Sequence, residues 1–167
     1  AYINLGVSYL NLKDTTKAYE DFTTAIQTNR EDPNGYNRRS MLFMQQKRFT
    51  EAEKDLDIAI SHDSSFVLSF FNRALLYSDT KRPMLALSDF DHVIELDSTN
   101  SLTYFNRAIV RTQIGDYNRA LDDYNRVARY SPNNVLVYYN RAALYSQIGE
   151  LEKAISDYSH AIKLYPD

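Results

Sequence analysis

Residues 101–134, SLTYFNRAIVRTQIGDYNRALDDYNRVARYSPNN, and residues 135–167, VLVYYNRAALYSQIGELEKAISDYSHAIKLYPD, are two versions of one pattern. Moving outward from them, the pattern returns every 34 residues along the whole chain, without an insertion or a deletion. Ala18, Ala52, Ala86, Ala120 and Ala154 mark the interval. So do Asp21, Asp55, Asp89, Asp123 and Asp157, and the large apolar column Phe22, Leu56, Phe90, Tyr124 and Tyr158. A fixed period of this length is the mark of a solenoid. Each repeat buries its apolar face only against its neighbours, so an array of them presents a long surface rather than one enclosed pocket.

The repeats fall at 1–32, 33–66, 67–100, 101–134 and 135–167, and are expected to form a single array. Ala1 enters two residues into the first repeat and Asp167 stops one short of completing the fifth, so the expectation is a segment of a longer protein. Composition sets further bounds. The chain is 44% apolar and 25% charged, with a net charge of −3 and the two signs interspersed. That gives no long-range field to draw in nucleic acid or an anionic membrane. Without cysteine there are no disulfides or thiolate metal ligands. No apolar run approaches the roughly 20 residues that cross a bilayer, so membrane insertion is not expected. The compartment is left open.

Apolar spacing inside each repeat is helical rather than alternating. In the fifth, Val137, Tyr138, Arg141, Ala142 and Tyr145 step three or four apart on a first helix, and Ile155, Tyr158, Ala161, Ile162 and Tyr165 do so on a second. Between them Ile148-Gly149-Glu150 makes a tight turn, as Ile114-Gly115-Asp116 does in the fourth, glycine being free to adopt the left-handed conformation that ends a helix. The first three repeats carry polar turns instead, Lys13-Asp14-Thr15, Gln46-Lys47-Arg48 and Lys81-Arg82-Pro83. Asp32-Pro33-Asn34, Ser98-Thr99-Asn100 and Ser131-Pro132-Asn133-Asn134 read as loops that cap the next helix. Ten helices of about 12–14 residues follow, paired as antiparallel hairpins. The small column Gly6, Ser40, Ala74, Ala108 and Ala142 is expected to face the Ala18 column and let the two axes approach closely.

An aromatic (Tyr2, Tyr36, Phe70, Tyr104, Tyr138), a small residue four later, an aromatic three beyond, then alanine, an aromatic, alanine and finally Pro132 or Pro166 resembles the tetratricopeptide repeat. The resemblance covers the whole chain and implies an all-α, right-handed α-solenoid of five helix-turn-helix hairpins. Pentatricopeptide arrays are similar hairpins of a usual period one residue longer, so the period argues against RNA reading. In tetratricopeptide arrays the first helices line a concave groove that holds an extended peptide or a partner helix. By this resemblance three apolar columns face the groove: Leu68, Leu102 and Leu136; Phe71, Phe105 and Tyr139, preceded by Ile3 and Asn37; and Leu75, Ile109 and Ala143, preceded by Val7 and Met41. Gln113, Gln147, Asp79 and Asn11 form its rim. Such a groove favours a protein or peptide partner with apolar anchors, unless these side chains pack against neighbouring first helices.

Next to them runs the amide column Asn4, Asn72, Asn106 and Asn140, interrupted by Arg38. An asparagine offers donor and acceptor together, so a ladder of them can grip an extended backbone without reading its side chains; alternatively each stays solvated or bonds locally. The family's carboxylate clamp for chaperone tails needs lysines where this chain has Ile3, Asn37, Phe71, Phe105 and Tyr139, or Asn34, Leu68, Leu102 and Leu136, and is rejected here.

Arg39, Arg73, Arg107 and Arg141 co-occur with the Asp21-to-Asp157 column, which reads as a repeated helix-to-helix ion pair, guanidinium and carboxylate fitting bidentately. Spacing leaves open whether Arg39 meets Asp55 within its repeat or Asp21 in the one before. Arg111 replaces the aromatic supplied elsewhere by Tyr77 and Tyr145; a charge there must snorkel outward or find a carboxylate, and a surface escape is expected over a ligand site. No enzyme, cofactor or metal site is expected. His92 and His160 share a column two repeats apart, too far for one metal, and with His62 read as outer-face residues; four glycines make no phosphate loop. Alternatives to peptide capture are a structural scaffold, or a regulatory segment of a larger protein. Ile155, Ile162 and Tyr165 on the last helix would suit end-to-end self-association.

Overall fold

The computed structural model describes residues 1–166. They form ten helices, α1 Tyr2–Asn11, α2 Thr15–Thr28, α3 Pro33–Gln45, α4 Phe49–His62, α5 Val67–Asp79, α6 Pro83–Leu96, α7 Ser101–Gln113, α8 Tyr117–Tyr130, α9 Val135–Gln147 and α10 Leu151–Leu164. Nine have 13 or 14 residues and α1 has 10. Among the described residues there is no strand. Consecutive helices pair as hairpins, and the chain divides into two compact units. Ala1–Leu96 holds the α1–α2, α3–α4 and α5–α6 hairpins; from Asp97 on come α7–α8 and α9–α10. Inside the first unit α2 packs on α3 and α4 on α5, and the first helices α1, α3 and α5 are successive neighbours; inside the second, α8 packs on α9. This is the hairpin stacking of an all-α solenoid.

Local chemistry explains where the helices begin and end. Asp32, Asn100 and Asn134 accept backbone N–H bonds from Asn34, Thr103 and Leu136 and so cap α3, α7 and α9, as the loop sequences imply. All five hairpin turns share one geometry. The residue 34 positions apart in each turn has positive φ: Lys13 (61°), Lys47 (59°), Lys81 (60°), Gly115 (83°) and Gly149 (83°). The following N–H then reaches back to the helix, Asp14 to the Tyr9 carbonyl at 2.9 Å and Arg82 to that of Tyr77 at 2.8 Å, with Arg48, Asp116 and Glu150 doing the same. The polar turns are therefore glycine-type turns carried by lysine, at a cost of roughly 1–2 kcal/mol in a conformation L-residues disfavour.

The small columns are where the axes close. Ala18, Ala52, Ala86 and Ala120 are fully buried, as are Ser40, Ala74, Ala108 and Ala142. Phe22, Leu56 and Phe90 fill the space beside them with no exposed surface. Gly6 belongs to this contact: a Cβ there would sit 2.6 Å from the Phe22 ring.

The arginine column resolves within each repeat. Arg39 donates Nε and Nη2 to the Asp55 carboxylate at 2.7 and 2.9 Å, and Arg73–Asp89, Arg107–Asp123 and Arg141–Asp157 repeat the fork. The hydrogen bonds to aspartate push the Arg39, Arg73 and Arg141 guanidinium pKa values above the ordinary arginine range. The third nitrogen, Nη1, reaches the preceding hairpin: Arg39 to Thr23 at 3.3 Å, Arg73 to Asp57 at 2.7 Å and Arg141 to Asn125 at 2.7 Å. One side chain thus closes its own hairpin and sets register with the one before. The first repeat lacks it. Leu5 stands in the arginine's place, and the Asp21 Oδ2 atom is buried with no hydrogen-bond partner.

Of the two outcomes open to it, Arg111 finds a carboxylate instead of escaping to the surface. It is largely buried and donates Nη1 to Asp123 Oδ2 at 2.7 Å, so that Asp123 serves two arginines. A carboxylate already present for Arg107 offered the charge a buried partner. Sequence reading also passed over a second fork, Arg82 Nη1 and Nη2 to Glu53 at 2.9 Å each, joining the α5–α6 turn to α4. Arg82 holds the Glu53 carboxyl below the usual glutamate range.

Candidate interaction surface

The aromatic column of the first helices leans on the second helix of its own hairpin. Phe71 lies 5.9 Å from Phe90, Phe105 6.1 Å from Tyr124 and Tyr139 5.6 Å from Tyr158, ring centre to ring centre. Phe71 and Phe105 are thereby half-buried, whereas Tyr139 keeps 56% of its surface exposed. The leucine column is open in both units: Leu68 is 47% exposed, Leu102 57% and Leu136 59%. None of these leucines is in the core, and nothing in hairpin closure requires a large apolar side chain at that position. Leu75 and Ile109 are half-buried and Gln113 is exposed. Gln147, also exposed, donates to the Tyr117 hydroxyl at 2.8 Å.

The amide column is less uniform than its period suggests. Asn106 and Asn140 each donate Nδ2 to the carbonyl four residues back, Leu102 and Leu136, at 2.8 Å, which points their side chains the same way along their helices. Their Oδ1 atoms accept none of the hydrogen bonds found among the described residues. Asn4 is exposed on α1. Asn72 differs: it is buried, and its Nδ2 donates to Asn37 Oδ1 at 2.9 Å, a bond that joins α5 to α3. Asn37 itself is 2% exposed, so the hydrophobic column of the second repeat is replaced there by a buried amide pair. Arg38 lies beside it, half-buried.

The other face carries rings. Phe70 lies against His92 and Tyr138 against His160, each at 4.2 Å with the rings tilted by 52° and 57°, and Tyr36 lies 5.7 Å from His62. All three histidines therefore lean on an aromatic of their own repeat, a partnership that the spacing of Phe70 and His92 could have signalled. On α10, Leu151, Ile155 and Ile162 are exposed, as is Tyr165 just beyond its end. Among the described residues no helix is long and apolar enough to cross a membrane.

The sequence matches the tetratricopeptide repeat over residues 1–32 and again over 135–167, and the TPR repeat over 110–149; together these span more than half of the chain. No curated protein matches it in sequence. Solved structures do match in fold. MamA of Desulfovibrio magneticus RS-1 is 10% identical, over 98% of this chain and 92% of that one, with a TM-score of 0.88. PilF of Pseudomonas aeruginosa is 19% identical over 99% and 76%, with a TM-score of 0.91. YrrB, described as a TPR protein with an unusual peptide-binding site, is 19% identical over 99% and 86%, with a TM-score of 0.80. With the 34-residue hairpins and their buried alanine columns, these matches make the chain a member of the tetratricopeptide repeat family.

Proposed function

We propose that this chain is a non-catalytic protein-interaction module that takes an extended peptide or a partner helix along its first helices. Leu102, Leu136 and Tyr139 are its apolar anchors in the second unit and Leu68 in the first. Asn106 and Asn140 are amide rungs, their Oδ1 atoms offered to the N–H groups of a bound backbone. Asn72 is left out of this proposed ladder: it is buried and its Nδ2 is bonded to Asn37. The observation that carries the reading is the recurrence of a large, half-exposed leucine at one position of successive repeats, where the core makes no use of it. Exposed apolar side chains repeated along one face are what a binding surface requires. Four of the five repeating carboxylates, Asp55, Asp89, Asp123 and Asp157, are committed to arginine rather than left for acid–base chemistry. That a structurally similar protein, YrrB, has a peptide-binding site supports a peptide as the class of ligand.

The test is capture of partners from extract of the source cell by the wild-type chain and by a Leu102→Ser, Leu136→Ser, Tyr139→Ser variant. These exposed positions leave the core intact, so helicity by circular dichroism should be unchanged. The expected result is loss of the captured partner. Retention at wild-type level would place binding elsewhere on the molecule.

A further inference from the structure

A cleft of about 690 Å³ opens in the second unit between α8 and α9. Arg126, Arg129, Asp122 and Asn125 line it from α8, and Tyr138 and Arg141 from α9. Arg141 is saturated there, its three donor nitrogens bonded to Asp157 and Asn125. Arg126 and Arg129 are not. Both are exposed, and neither lies within ion-pair distance of a carboxylate among the described residues, although Asp122 is on the same helix. Arg126 rests over the Tyr104 ring at 5.3 Å, which holds its guanidinium in place without neutralising it.

The repeat supplies its own control. At the positions of Arg126 and Arg129 the other repeats have Thr24 and Gln27, Ile58 and Ser61, His92 and Glu95, and His160 and Lys163. Four hairpins of the same design form without this arginine pair, so closing the hairpin does not explain it. Two cations one turn apart also repel each other, with only Arg129 gaining from the α8 C-terminus. A cleft with two uncompensated guanidinium groups over an aromatic floor is complementary to carboxylates on a flexible chain.

We propose that this cleft docks an acidic segment of a protein partner, its carboxylates held by Arg126 and Arg129 and its stem laid against Tyr138. The site uses none of the anchors of the first-helix face, so it stands or falls separately. The experiment is fluorescence anisotropy of a fluorescein-labelled octaglutamate peptide at low salt. Arg126→Gln with Arg129→Gln should weaken binding at least tenfold. Lys153→Gln with Lys163→Gln, which removes the same charge from α10, should change it less than twofold. The Leu102→Ser, Leu136→Ser, Tyr139→Ser variant should bind octaglutamate as wild type does. Equal weakening by the two charge variants, absence of binding, or complete displacement by micromolar inorganic phosphate would overturn the proposal.

Discussion

Arg73→Ala is expected to lower the stability of the unit formed by residues 1–96 by about 3–5 kcal/mol, the range for breaking a buried ion pair on one side only. Arg73 makes two bonds to Asp89 and a third to Asp57, and its guanidinium lies over Phe70 and Tyr77. Asp89 is 6% exposed, so deleting the arginine strands a charge that water cannot reach. The loss is larger than the net worth of the pair. Arg73→Leu combined with Asp89→Leu should therefore recover most of it, because two apolar side chains carry no desolvation penalty. The midpoint of urea-induced unfolding, followed by circular dichroism, reads both. If the single and double variants proved equally unstable, packing of the arginine stem rather than the stranded carboxylate would be the cause.

Leu5→Arg is expected to act in the opposite sense and raise stability by about 1–3 kcal/mol, the penalty of a buried polar atom left without a partner. Asp21 occupies in the first repeat the position that Asp55 and Asp89 hold in the next two, yet its Oδ2 atom is orphaned because Leu5 cannot donate. Leu5 is half-exposed, so little burial is lost on replacing it. Lysine at the same position should give less, since an ammonium cannot form the two parallel bonds of the fork. Adding Asp21→Asn should cancel the gain from arginine. An unchanged urea midpoint for Leu5→Arg would show that the aspartate is not held in the geometry of its counterparts.

These two residues also show what can be read in a repeat sequence. The period alone delivers hairpins, closing alanines and the co-occurrence of arginine with aspartate, since every copy must bury the same face. It does not say which aspartate an arginine meets: Asp21 and Asp55 lie about equally far from Arg39 in sequence, and the fork chooses the one on its own hairpin. The turns were half legible. Gly115 and Gly149 announce a left-handed residue, and counting back 34 positions reaches Lys81, Lys47 and Lys13, whose side chains give no such sign.

The interaction surface was legible as a face but not residue by residue. Column position puts Asn72 with Asn106 and Asn140, but a departure in the preceding repeat, Asn37 in place of an aromatic, gives Asn72 a buried partner. Arg111 is another such departure, absorbed by Asp123. Arg126 and Arg129 leave no column signal for the same reason. Columns reveal what all repeats share, which is mostly packing, whereas specificity resides in single substitutions whose neighbours only the fold brings together. Phe105 is instructive in the same way: it leans on Tyr124, so replacing it would disturb the core as well as the surface. Leu102 and Leu136 are the cleaner probes.

The most direct test of the central claim is a site-specific cross-link. Tyr139→p-benzoylphenylalanine places a photoreactive ring at the exposed end of the anchor column, and Ile155→p-benzoylphenylalanine places the same ring on the outer side of α10. If the first helices hold the partner, irradiation in cell extract should join it to the ring at position 139 and not to the ring at 155. Cross-linking at 155 alone would contradict the assignment and put the contact on the last helix.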